Sequence, residues 1–137
     1  MIRFLKHSEI DPEKWDRAVR SSLTPTVFAE YGILDMLTGD DTWHALVDND
    51  YEAVMPLPTR KKGVLKYVYT PFFVRQMGIF STNRLTSETV EVFLCEVSRR
   101  YPLADMLMNV NSTPACGAVP FHSYALSLQR PYNELSA

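Results

Sequence analysis

Four aromatic rings and an arginine turn stand close together in this chain: Tyr67, Tyr69, Phe72 and Phe73, then Arg75-Gln76-Met77-Gly78. Aromatic side chains supply contact area with a polar handle, so Tyr67 and Tyr69 read either as the lining of a groove or as sheet core. A glycine turn that leads towards a helix can aim backbone N–H groups at a pyrophosphate. Gly78 reads that way, or as a plain β-turn or bulge. Just upstream, Arg60-Lys61-Lys62 reads as a solvated hairpin tip or as a contact for a phosphate or another anionic group. The candidate substrate- or cofactor-binding residues are therefore Tyr67, Tyr69, Arg75, Gln76 and Gly78.

Familiar catalytic patterns are missing. His7, His44 and His122 have no partner at ligand spacing, and no H-x-x-x-H, C-x-x-C or H-E-x-x-H occurs, so no metal site is expected. Neither a G-x-S-x-G nor a phosphate-loop sequence is present. Cys116 falls in a loop where a nucleophile could live, but nothing near it in the sequence favours the thiolate. Catalytic residues stay unassigned.

The elements that must position these residues are readable in outline. Residues 2–5 form a short apolar first strand. Asp11 is a good N-cap, Pro12 suits the first helical position, and Ile10 with Trp15 has the spacing of a hydrophobic staple. Trp15, Ala18 and Val19 make the buried face, and the helix should end near Ser22. Val27, Phe28, Tyr31, Leu34 and Leu37 follow helical spacing to a stop at Gly39. Gly32 in that helix marks close packing or ligand approach. From Thr42 the period changes to two, with Trp43, Ala45 and Val47 on one face. Tyr51 begins the return strand, sharing a face with Ala53, Met55 and Leu57, and Pro56 and Pro58 should fray or bulge it. Residues 64–69 return again to complete a meander, with Tyr67 and Tyr69 on one face. Thr86 caps a helix whose Val90, Phe93, Leu94, Val97 and Tyr101 form one stripe. Residues 103–110 read as a buried strand and 121–128 as a final strand. The order is β-α-α-β-β-β-α-β-β, an α+β fold with a mixed, mostly antiparallel sheet flanked by helices.

A chain of 137 residues fits one domain and needs no metal or disulfide staple. A net charge of −2 speaks against a general nucleic-acid or membrane-surface binder. No apolar run reaches the roughly 18 residues of a membrane span, and the N-terminus lacks the apolar region of a secretory signal. Cys95 in a helix and Cys116 in a loop suit free thiols in a reducing cytoplasm.

Three segments carry a family resemblance: W-x-A-L-V at 43–47, YEAVMPLPTRKKG at 51–63 and Y-x-Y-x-P-F-F-x-x-Q-x-G-I-F-S at 67–81. Together with the element order they resemble the GNAT-type acyl-CoA N-acyltransferase fold. More narrowly, they resemble a bacterial FemAB-like group similar to the peptidoglycan-bridge aminoacyl transferases. Proteins of that kind have two GNAT-like halves, and this chain resembles the N-terminal half; RPYNELSA at 130–137 looks like the lead-in to a second. The resemblance implies transfer of an acyl or aminoacyl group to a small-molecule or peptide-like amine, with acyl-CoA or aminoacyl-tRNA as donor in the full-length protein. It places the pyrophosphate loop at Arg75-x-x-Gly78, with Phe80 standing where the family pattern has glycine or alanine. Three readings stay open. The chain is the substrate-binding half of such an enzyme, a stand-alone acyl-CoA-dependent GNAT enzyme, or a non-catalytic binding or dimerisation module.

Overall fold

The computed structural model describes residues 1–39, 43–114 and 119. The expected strand at 121–128, Cys116 and the segment 130–137 lie outside the described residues. Among the described residues the fold is α+β, with a mixed sheet and three α-helices.

β1 (Ile2–Leu5) leads through a short 3-10 turn into α1 (Pro12–Ser21). The Asp11 carboxylate accepts the Glu13 and Lys14 N–H groups, so two orphan donors of the first turn are satisfied. Ile10 and Trp15 close the staple as buried neighbours.

The second helix starts later than its periodicity predicts. Val27–Ala29 is a single 3-10 turn, Glu30 is extended, and α2 runs Tyr31–Thr38. The reason is tertiary: Asp16 of α1 accepts the Tyr31 N–H at 2.7 Å, and Arg20 of α1 grips the Glu30 carboxylate. The neighbouring helix supplies the cap that Glu30 does not. Gly39, at φ +77, ends α2 as expected. Close packing does not explain Gly32, because a Cβ there would meet nothing within 4 Å.

β2 (Trp43–Asp48), β3 (Ala53–Lys62) and β4 (Leu65–Tyr69) form the antiparallel meander. Tyr51 is not its first strand residue. It sits in the turn at φ +66 and packs against the opposite core from Ala53, Met55 and Leu57. β3 runs unbroken through Pro56 and Pro58, contrary to expectation, and the irregularity lies in its partner. β4 pairs with β3 at 59–62; the chain then loops out over 70–76 and returns as β5 (Phe80–Ser81), which pairs with β3 at Ala53 and Val54. Among the described residues, no strand pairs with 55–58 of β3 on that edge. Both prolines fall there, where a missing donor costs little.

α3 (Ser87–Ser98), capped by Thr86, crosses to β6 (Ala104–Asp105), which pairs in parallel with β4. Only these two residues of the expected 103–110 strand are extended in a ladder, and both are exposed. Met108 adds a parallel bridge to Met77. The path across the sheet is β1-β2-β3-β4-β6.

Alternation sends side chains to two cores. Trp43, Ala45, Val47 and Val54 pack with Trp15, Val19 and Leu34 beneath α1 and α2. Leu46, Met55, Leu57 and Val68 pack with Val90, Phe93 and Val97 beneath α3.

Candidate functional site

Tyr67 and Tyr69 flank Val68, which is buried in the α3-side core, so both tyrosines face the other way. Their rings meet edge to face at 6.5 Å. Arg60 stands opposite Tyr67 in the ladder, and its guanidinium lies 4.2 Å from the centre of the Tyr69 ring. That distance is a cation–π contact. The face around these three side chains is half-buried or exposed, beyond the ground covered by α1 and α2.

The other candidates lie on the looped-out segment that continues the β4 line. Arg75 is exposed, Gln76 half-buried and Gly78 buried. Phe72 and Phe73 at the start of the loop meet with ring centres 4.2 Å apart and planes tilted by 56°, and Phe73 has a left-handed backbone at φ +71. The structure thus brings Tyr67 and Tyr69 together with Arg60 and puts Arg75 and Gln76 on the loop leaving the same strand.

Gly78 is held from behind. Its φ is +102, and a Cβ there would stand 2.9 Å from Ser112 Oγ. The Met77 N–H donates to the Leu107 carbonyl and the Ile79 N–H donates to Ser112 Oγ, both at 2.8 Å. Ser112 donates to Asn109 Oδ1, and Asn109 Nδ2 donates to the Ile79 carbonyl. Asn109 and Ser112 are both buried. The amides on either side of Gly78 are therefore spent inside the protein, and a ligand at this turn would meet side chains, chiefly Arg75 and Gln76.

A second cluster escapes sequence reasoning. Asp35 Oδ1 accepts the Trp43 indole N–H at 2.7 Å and lies 2.6 Å from His7 Nε2. The His7 ring stacks on Tyr31 and meets the edge of Trp43. A carboxylate that fixes an imidazole is an arrangement able to orient a proton donor or acceptor. The three residues come from the β1–α1 connection, α2 and β2, so no local spacing announces them. Near α1, Lys14 and Asp50 pair at 2.7 Å beside Arg17, Ser21 and Tyr51 in a shallow cleft. The hydrogen bond to Asp50 raises the Lys14 pKa, and the same bond lowers that of Asp50. The pair neutralises itself and leaves little for chemistry. Among the described residues, no group of His, Cys, Asp and Glu is placed to hold a metal ion.

No family model matches the chain, and neither a curated protein nor a solved structure matches it. No described helix is long and apolar enough to cross a membrane.

Proposed function

We propose that this chain is an N-acyltransferase-like domain, the N-terminal half of a two-half FemAB-like protein, supplying substrate-binding surface for acyl or aminoacyl transfer to an amine. One observation carries the reading. After a strand, two helices and a meander, the chain passes through β5 and α3 to β6, which pairs in parallel with β4, while the other named ladders are antiparallel. Up to β6, and apart from the short β5 before α3, that follows the order on which the GNAT resemblance rests. The Tyr67–Tyr69 face lies on β4 and the Arg75–Gln76 loop follows that strand, and in this reading one ligand spans both. Arg75 supplies the charge, Tyr67 the ring area and Tyr69, whose ring Arg60 covers, a hydroxyl. The internal bonding around Gly78 favours the substrate-binding half over a stand-alone acyl-CoA enzyme, because a pyrophosphate cradle needs unspent amides.

Titration with coenzyme A, followed by backbone amide shifts, tests the reading. Shifts at Tyr67, Tyr69, Arg75 and Gln76 that weaken about tenfold with Arg75→Ala would favour a stand-alone acyl-CoA enzyme over the substrate-binding half. Silence at these amides at roughly millimolar coenzyme A removes that donor from this half. Acetyl transfer to an amine by the isolated chain would overturn the division of labour between two halves.

A further inference from the structure

The β3–β4 hairpin protrudes as an arm. All seven residues from 60 to 66 are exposed, on both faces, although β3 is buried from Ala53 to Thr59. Its tip carries Val64, fully exposed, and Leu65, where turn chemistry normally places polar residues. Arg60, Lys61, Lys62 and Lys66 flank those two apolar side chains.

The stretch of chain that holds the arm carries charge of one sign. Residues 53–87 contain Arg60, Lys61, Lys62, Lys66, Arg75 and Arg84, and all 16 acidic residues of the chain lie elsewhere. None of these six cations forms an ion pair among the described residues. By contrast Lys14, Arg20, Arg99 and Arg100 are each paired with a carboxylate. The net charge of −2 conceals this segregation.

We propose that the arm docks this domain on an anionic lipid bilayer, with Val64 and Leu65 entering the headgroup region and the arm's own cations, Lys61, Lys62 and Lys66 foremost, facing lipid phosphates. Unpaired Lys and Arg are drawn to the negative surface potential of such a bilayer, and exposed aliphatic groups between them gain by leaving water. A single-stranded nucleic acid would share the cations but fits the rest poorly. Arg60 already covers the Tyr69 ring, and Val64 and Leu65 offer no face for base stacking. The proposal stands apart from the acyl-transfer reading, since the arm at 60–66 holds none of that reading's candidate residues.

Co-sedimentation with phosphatidylcholine vesicles, with and without phosphatidylglycerol, tests it. Binding is expected only with phosphatidylglycerol and should fall with added salt. Lys61→Glu with Lys62→Glu should weaken it by about tenfold or more. Val64→Ser with Leu65→Ser should weaken it several-fold, with circular dichroism unchanged because both positions are exposed. In a Val64→Trp variant, emission should move to the blue on adding anionic vesicles. Equal sedimentation with both vesicle types, or with neither, overturns the proposal. So does binding without the emission shift, which would mean adsorption by charge alone, and so does binding to oligouridylate in place of vesicles.

Discussion

A methyl group added at Gly78 meets Ser112 Oγ at 2.9 Å on a backbone of φ +102, whereas one added at Gly32 meets nothing. The two substitutions should therefore move stability in opposite directions. Gly78→Ala is expected to cost about 1–3 kcal/mol, combining strain at positive φ with overpacking. Gly32→Ala should add about 0.5–1 kcal/mol by restricting the unfolded chain within an exposed helical turn. Urea midpoints of the two variants decide the matter, and a stabilised Gly78→Ala would mean that Ser112 does not back the turn. Tyr101 gives a pH test at the same scale. Burial raises its pKa above 10.0, with Arg100 opposing. A phenol whose folded pKa is raised contributes stability that is complete below the unfolded value and is lost as pH rises through the folded one. The wild-type protein should therefore lose stability above pH 10.0, where the unfolded phenol ionises first. Tyr101→Phe should show less of that alkaline loss in thermal melts, with little change at neutral pH.

The helices and strands fall into those that local residues define and those that distant partners define. Asp35 on α2 belongs to the second kind, since it holds the indole N–H of fully buried Trp43. Asp35→Ala leaves that donor without its acceptor and is expected to cost about 1–3 kcal/mol. Asp35→Asn retains an amide oxygen and should cost less; equal losses in chemical denaturation would argue against the indole bond as the cause. The same division explains what the sequence made legible. α1 and α3 could be read because Asp11, Pro12 and Thr86 cap them in place and their apolar stripes are local. Tyr67 and Tyr69 could be put on one face because a strand alternates with period two. The break before α2 could not be read, because Asp16 and Arg20 of another helix impose it. Nor could the return of the β4 line at 77–81, because β3 and Met108 select its pairing. Gly78 looked free to cradle an anion only while Ser112, about a quarter of the chain further on, was out of view.

At the scale of the molecule, one sheet carries two cores, and the division has an energetic consequence. Val19 on α1 and Val97 on α3 are both buried, but in clusters on opposite sheet faces with no residue in common. Val→Ala at either position removes two buried methylene equivalents, worth about 1.5 kcal/mol in transfer, with any residual cavity adding to that. The losses should stay small enough for the double variant to remain folded within a typical stability of about 5–15 kcal/mol. Sites that share no partner add to within about 0.5 kcal/mol. The double variant should therefore equal the sum of Val19→Ala and Val97→Ala in urea denaturation, with an unchanged slope against denaturant. A coupling of about 1 kcal/mol or more would mean that strain passes through β2 and β3, making the two faces one packing unit. A lower slope with two resolved transitions would mean that the helical layer of one face unfolds before the other. Additivity with a single transition is the expected result, because β2 and β3 send alternate side chains into both cores and neither layer can leave without exposing the shared strands.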